Sequence, residues 1–314
     1  MAKNSIYFVF TLPPVSGGHF VALEHIAALN RMGFNAKVYY VGAPDGFGKF
    51  AVPAVRAGAP LLADDIIVVG EDHKALLKEL KNLSCIKVLH HQAFFYTFAG
   101  FDSIADLIAY PFARLIVASD FCAARLKTLG VTQTISRVRP AVPEVFAPGE
   151  KRLQIAYAPH KRPIEASFLR GYFGARVPAY AHVPWVPLTN MSRADCAKVM
   201  GQNAVYAALP LLESLGLMNL EAMASGCHVV GYTGHGGAEY ATAQNGDWIA
   251  DGYHDAFVEK LRDVCQLYEA KQPNQKVEAG RATAAQFSRA GFENELRETW
   301  TAIMGDRAEL YRNA

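Results

Sequence analysis

The sequence predicts an α/β fold built as two Rossmann-like domains, and three observations predict it. At 314 residues the chain exceeds the size at which a single hydrophobic core keeps growing. Short apolar, strand-like runs alternate with helix-like stretches in the first half, and the same βαβ rhythm restarts in the second. Between the halves lies Arg139-Pro140-Ala141-Val142-Pro143-Glu144-Val145-Phe146-Ala147-Pro148-Gly149, a proline-rich run that reads as an interdomain linker and hinge.

In chain order, a first strand is expected over Ile6 to Leu12, ending at Pro13-Pro14, and a helix from about Gly18 to Met32. Strands follow at Ala36 to Val41, at Asp65 to Val69 before another helical stretch, at Ile86 to Leu89 and at Leu115 to Ala118. The last of these runs into a helix capped at Ser119 or Asp120. The second half offers strands at Gln154 to Ala158, Ala204 to Ala208 and His228 to Gly231. From Asp255 to Met304 the pattern is helical throughout, with Phe257, Leu261 and Cys265, and Phe292, Leu296 and Trp300, on apolar faces. Trp185 and Trp300 read as core or domain-interface residues.

Thirty-one basic residues against 29 acidic give a formal charge of +2, too balanced to indicate nucleic-acid binding, so any phosphate recognition must be local. The five cysteines are widely scattered, with no Cys-x-x-Cys pair, which argues against a disulfide framework or structural zinc. The apolar N-terminal run is too short for a membrane helix and shows no small-residue cleavage pattern, so a cytoplasmic location is expected. Asp102, Asp120 and Asp251 have no metal-ligand spacing and no Asp-x-Asp is present, so neither a metal nor a resident cofactor is expected.

The most informative stretch is Leu211-Leu212-Glu213-Ser214-Leu215-Gly216-Leu217-Met218-Asn219-Leu220-Glu221-Ala222-Met223-Ala224-Ser225-Gly226. Leu217, Leu220, Met223 and Ala224 recur at helical spacing. Ser214 reads as the N-cap, with Gly216 in the first turn, and Gly226 supplies the stop. Glu213 then lies in the loop before the helix and Glu221 about two turns into it. A β-branched run follows, and then Gly231-Tyr232-Thr233-Gly234-His235-Gly236-Gly237-Ala238-Glu239, a glycine-rich loop with a third acid. In open α/β sheets ligands bind beyond the carboxyl ends of the strands, where helix N-termini favour phosphate and carboxylates can accept from ribose hydroxyls. A nucleotide suits such loops better than a hydrophobic ligand.

The span from Glu213 through Glu221 to Gly236-Gly237-Ala238-Glu239 resembles the donor-binding region of family 4 glycosyltransferases. His228 stands where proline is usual there, and Ser214-Leu215 replace the usual Gly-Phe. The resemblance implies the GT-B fold, two Rossmann-like domains with a cleft between them: an N-terminal acceptor domain over 1–143, a donor domain over 144–288, and a terminal helix over 289–314 crossing back to the first domain. It implies transfer of a sugar from a nucleotide-diphosphate donor (UDP-, GDP- or dTDP-sugar) to an acceptor hydroxyl, with retention of anomeric configuration. In that reading Glu221 binds the ribose hydroxyls and Glu213 contacts the donor sugar, while Gly236, Gly237 and Glu239 shape the loop around it.

Three further places fit the resemblance. Pro14-Val15-Ser16-Gly17-Gly18-His19 opens the first helix, and the amides of Gly17 and Gly18 can approach the donor phosphates or the acceptor. His90-His91-Gln92 closes a strand, and the resemblance implies a histidine against a sugar hydroxyl, with His91 or His90 in position; the alternative is a histidine satisfied at a strand end. Tyr157-Ala158-Pro159-His160-Lys161-Arg162-Pro163 gathers up to three cationic groups at a strand end. In the resemblance Lys161 and Arg162 neutralise the leaving diphosphate, although the cluster is more compressed than in the family.

Glycan, lipid-linked and small-molecule acceptors all fit, as does peripheral contact with the inner face of a membrane. The competing readings are a sugar-nucleotide epimerase on the same scaffold, a non-catalytic sugar-nucleotide-binding protein, and an NAD-dependent oxidoreductase. The last is disfavoured because the first strand lacks a Gly-x-Gly-x-x-Gly turn and Val38-Tyr39-Tyr40-Val41 runs into Gly42 with no closing acid.

Overall fold

The computed structural model describes residues 4–11, 17–41, 51–58 and 60–313. Pro13, Pro14, Val15 and Ser16, on which part of the first-loop expectation falls, lie outside the described residues. The chain divides into two compact units, one of Met1–Pro140 with Phe292–Ala314 and one of Ala141–Gly291. Each is built on a parallel sheet.

The first unit carries β1 (Ile6–Phe10), α1 (Gly17–Arg31), β2 (Ala36–Tyr40), β3 (Ala54–Arg56), β4 (Ile66–Gly70), α2 (Lys74–Leu80) and β5 (Ile86–His91). Two short helices, α3 (Thr97–Gly100) and α4 (Ile104–Ile108), then lead to β6 (Phe112–Val117), α5 (Asp120–Thr128) and β7 (Ile135–Arg137). The seven strands run in the order β3-β2-β1-β4-β5-β6-β7, every pair parallel. β1 is buried along its whole length, as a central parallel strand covered on both faces should be. One face packs Tyr7, Val9, Ile67, Val69, Leu89, Leu115 and Val117 against Leu77, Leu107, Cys122 and Leu126 from the helices. Ser119 caps α5, its hydroxyl accepting from the Cys122 amide at 3.1 Å.

The second unit carries β8 (Arg152–Tyr157), α6 (Pro163–Arg176), β9 (Trp185–Pro187), α7 (Arg193–Gln202), β10 (Asn203–Ala208), α8 (Leu217–Ala224), β11 (His228–Gly231), β12 (Asp247–Trp248), α9 (His254–Glu269) and α10 (Gln275–Ala285). Its strand order is β12-β11-β10-β8-β9, again all parallel. One face buries Ile155, Val205 and Val230 against Leu169 and Phe173 of α6 and Phe257 and Leu261 of α9. The other buries Ala156, Tyr206 and Val229 against Met200 of α7 and Leu220 and Met223 of α8.

A last helix, α11 (Arg289–Met304), brings Phe292 onward into the first unit. There Trp300 packs on Phe8 of β1 and Phe292 on His25 of α1, with ring centroids 6.1 and 5.2 Å apart. The Glu295 carboxylate accepts from Arg137 at 2.9 Å and from the Arg139 amide at 2.8 Å. Among the described residues no helix is long and apolar enough to cross a membrane.

Three local readings change. The stretch from Asp255 to Met304 is three helices, broken at Ala270 and again at Gln286, because Asn274 caps α10 and starts it afresh. Helix α8 starts at Leu217, with Gly216 rather than Ser214 as N-cap. Gly216 sits at φ 79°, ψ 52°, a left-handed conformation that a helix turn cannot contain, so Glu221 lies about one turn in. Finally β3, β7, β9 and β12 are strands that the apolar pattern does not announce.

His228, at the start of β11, is buried. Its ring bonds Asp247 at 2.7 Å through one nitrogen and Asn274 at 2.7 Å through the other, while Lys276 donates to Asp247 at 2.5 Å. Burial pushes the Asp247 carboxyl up, but the hydrogen bonds from His228 and Lys276 win and hold it down to about 2. A depressed carboxyl stabilises the fold above its unfolded value, and that stability is lost as pH falls through the folded one. Asp247→Asn should therefore cost about 2 kcal/mol in urea unfolding at about pH 7, with the gap to wild type closing as pH falls toward 2.

Candidate functional site

Three adjacent strands of the second unit, β8, β10 and β11, end side by side and release three loops that carry most of the expected residues. The β10 and β11 loops continue to pair beyond the sheet. The Glu213 amide donates to the Gly234 carbonyl and the Gly236 amide to the Glu213 carbonyl, each at 2.9 Å, making a parallel bridge between Glu213 and His235. This approach needs glycine. A Cβ on Gly236 would lie 2.1 Å from the Ser214 carbonyl carbon and oxygen, and one on Gly234 2.7 Å from Pro210.

The backbone at the bridge is strained. His235 adopts φ 75°, ψ −72°, a γ-turn in which the Gly236 amide also donates to the Gly234 carbonyl at 3.2 Å. Leu212, beside Glu213, is left-handed at φ 54°. Non-glycine residues held in such regions cost about 1–3 kcal/mol each and concentrate at functional sites.

Lys161, from the β8 loop, pairs with the Glu213 carboxylate. Both side chains are about a third exposed, so the pair faces the loop surface rather than the core. His160 does not add a third cation, because burial and then Lys161 lower its pKa against the pull of Glu213. Arg162 differs from its neighbour. Its guanidinium donates to the Pro210 carbonyl at 3.1 Å, to Glu165 at 2.8 Å and to Asp251 at 2.8 Å, and it lies 4.8 Å over the Tyr232 ring. Arg162 thus ties the ends of β8, β10, β11 and β12 together, and the expectation of a cation aimed at diphosphate does not match a guanidinium engaged on every side. The cause is local: as N-cap residue of α6 it turns inward, toward Glu165 in the first turn.

Glu221 sits on α8 with only 8 % of its side chain exposed, and its Oε1 accepts from Arg193 Nη2 at 2.6 Å. Burial pushes the Glu221 carboxyl up and Arg193 pulls it back. Beneath the loops the buried Tyr206 phenol feels both Glu221 and Glu213, which places the two acids around one core residue. Gly237 and Glu239 belong to the one-turn helix of Gly236–Glu239, with Gly237 buried and Glu239 exposed. Arg193 was not singled out from the sequence. Its one signal is the capping pair around it, where Ser192 accepts from the Asp195 amide and donates to the Asp195 carboxylate.

Gly17, Gly18 and His91 fall in the first unit. Gly17 is exposed at the start of α1, and the Gly18 carbonyl accepts from the Gln92 side chain at 2.9 Å. His91 has no exposed surface. Thr97 donates its hydroxyl to the Phe94 carbonyl, so His91 Nε2 is the donor to Thr97 at 2.9 Å, leaving Nδ1 as acceptor 3.5 Å from the Cys122 thiol. Burial pushes the His91 pKa down to about 4. The expected sugar contact therefore gives way to the alternative of a histidine satisfied at a strand end. His90 points to the other face, against the His25 ring at 4.6 Å, and is also buried. Among the described residues no cluster of three or more His, Cys, Asp or Glu could hold a metal ion.

Gly236→Ala should lower unfolding stability by about 2–4 kcal/mol in urea titrations, whereas Gly17→Ala, whose added methyl meets nothing within 4 Å, should stay within about 1 kcal/mol of wild type. Arg162→Ala should cost about 1–3 kcal/mol by the same measurement, because the Pro210 carbonyl and one Glu165 oxygen lose a largely buried donor, while Tyr232 and His254 still hold Glu165 and the half-exposed Asp251 returns to water.

A family model described as "Glycosyl transferases group 1" matches residues 186–283, which include Arg193, Glu213, Glu221, Gly236, Gly237 and Glu239. An "Alpha-1,6-glucosyltransferase" of Actinobacillus pleuropneumoniae serotype 7 (strain AP76) is 32% identical over 316 residues, covering 95% of this chain and 95% of that protein. Among solved structures, the pneumococcal O-GlcNAc transferase GtfA in complex with UDP and GlcNAc superposes with a TM-score of 0.69 at 11% identity, over 98% of this chain and 100% of that one. HepE of Anabaena in complex with UDP-glucose gives 0.66 at 14% identity, over 95% and 99% of the two chains. Sucrose-phosphate synthase from Thermosynechococcus elongatus gives 0.70 at 13% identity, over 96% and 99%. At such identities these three speak for the fold alone, and the fold is GT-B. With its extensive identity to the Actinobacillus enzyme, the chain belongs to the group 1 glycosyltransferases of GT-B fold.

Proposed function

We propose that this enzyme moves a glucosyl residue from UDP-glucose to an acceptor hydroxyl, with retention of configuration and without a metal. The observation that carries the reading is the pair of acids around the start of α8, Glu213 beside Lys161 and Glu221 beside Arg193, at the carboxyl ends of β8, β10 and β11. The donor sugar is suggested by the name of the Actinobacillus relative, and the uridine nucleotide by UDP and UDP-glucose in the solved structures.

In this reading the second unit binds the donor and the first the acceptor. Glu221 accepts the ribose hydroxyls, Glu213 contacts a hydroxyl of the transferred sugar, and Gly236, Gly237 and Glu239 shape the loop around it. The acceptor oxygen bonds to the anomeric carbon as that carbon's bond to the β-phosphate oxygen breaks. The acceptor proton passes to the departing diphosphate. Lys161 offsets the charge that grows on that diphosphate, a preorganised electrostatic contribution that needs no divalent cation. The relative's name points to the primary 6-hydroxyl of a glucose unit as acceptor.

The test is release of UDP from UDP-glucose with glucose-terminated acceptors, with NMR of the product. An α-linked product made in a chelator supports the reading; release of glucose alone, an epimerised nucleotide sugar, or binding without turnover counts against it. Lys161→Ala should lower kcat about 100-fold while changing stability by less than about 1 kcal/mol, since a partly exposed pair holds the fold weakly. Glu221→Gln should weaken UDP affinity about 10- to 100-fold in calorimetry, the loss of charge-assisted hydrogen bonds to two hydroxyls.

A further inference from the structure

Arg193 is held in place from three directions. Its backbone opens α7 behind the Ser192 and Asp195 capping pair, its guanidinium lies 5.8 Å over the Phe146 ring, and its Nη2 donates to Glu221 Oε1. Among the described residues Glu221 Oε2 has no hydrogen-bond partner, so Arg193 occupies one side of the carboxylate and leaves the other free.

We infer that Arg193 is a positioning residue of the nucleotide site, which aims Glu221 and keeps it a carboxylate so that both its oxygens can accept from the two ribose hydroxyls. The inference rests on the reading of Glu221 as the ribose acceptor and adds to it the residue that makes that acceptor competent. A carboxylate offers about four lone-pair sites on two oxygens, of which Arg193 uses one. A protonated carboxyl replaces an acceptor with an O–H donor and cannot receive both hydroxyls equally. A carboxyl this buried drifts toward the neutral form, and Arg193 opposes the drift.

The other titratable groups that face Glu221 are Cys196 from α7 and Tyr206 from β10, both neutral because their own pKa values are raised by burial. α10 meets α8 through Gly280 against Met223, and His228 of β11 is held by Asp247 and Asn274. Among the described residues, Arg193 is therefore the charged group that opposes the effect of burial on Glu221.

The experiment is calorimetric binding of UDP and of 2′,3′-dideoxy-UDP to the full chain between about pH 5.5 and 8, for wild type, Arg193→Gln and Arg193→Lys. Wild type prefers UDP, and the preference declines at acid pH as Glu221 takes a proton. Arg193→Gln lowers UDP affinity roughly tenfold at about pH 6, moves the acid decline upward by about one pH unit, and leaves dideoxy-UDP affinity unchanged. Arg193→Lys, which keeps a positive charge beside Glu221, restores the wild-type pH profile. A structural role alone would weaken both nucleotides together without moving the profile, and that result overturns the inference. So does an Arg193→Gln protein with wild-type preference at every pH, or an Arg193→Lys profile displaced as far as that of Arg193→Gln. Wild type indifferent to the ribose hydroxyls overturns the donor reading of Glu221 itself, and this inference with it.

Discussion

The backbone bridge between Glu213 and His235 is the constraint on which the candidate site depends. β10 and β11 are neighbours in a parallel sheet, and their exit loops would normally diverge once the ladder ends. Here they pair once more beyond the ladder, with the register shifted between Ala208↔Gly231 and Glu213↔His235, and the Gly236 amide and the Glu213 carbonyl meet where any side chain on Gly236 would strike the Ser214 backbone. The bridge places Glu213 beside the β8 loop, where Lys161 awaits it, and the left-handed Gly216 then turns the chain into α8. The strained backbone at Leu212 and His235 accompanies that arrangement.

Glu213 and Glu221 are each matched by a cation from another loop or helix, and the two matches differ in their setting. Lys161 and Glu213 meet near the surface, where a ligand can compete with the pair at small cost to the fold. Arg193 and Glu221 meet in a more enclosed place, where removing one partner leaves a buried charge uncompensated. Arg162 belongs to a third kind, a bracket across four strand ends, with a carboxylate on either side and an aromatic ring beneath it. The three cations therefore differ in setting: Lys161 in a partly exposed pair, Arg193 against a buried acid, and Arg162 bracketing the loops.

The repeated βαβ rhythm made the α/β class legible, because central parallel strands are buried on both faces and read as continuous apolar runs. β1, β4, β5, β6, β8, β10 and β11 all announce themselves that way. The strands that stay silent, β3, β7, β9 and β12, are the edge strands of their sheets, two or three residues long, and partly exposed. β9 even carries Pro187, which an edge tolerates and a central strand would not. Ser214 reads as the cap of α8 from sequence, while the left-handed backbone at Gly216 is set by tertiary contact. The segments bearing Glu213, Glu221 and Gly236 stand out through glycine and acid spacing. The partners of those acids do not, since spacing along a chain carries no information on which arginine turns inward. His91 was drawn from its place at a strand end; its burial against Thr97 and Cys122 depends on α3 and α5 folding over it.

The most direct measurement is a crystal structure of the enzyme with UDP bound. The account predicts the ribose hydroxyls within about 2.6–3.2 Å of the Glu221 carboxylate, with Arg193 still on Oε1 and the diphosphate beside Lys161. A uridine nucleotide seated away from α8, with Glu221 and Arg193 untouched, would contradict it.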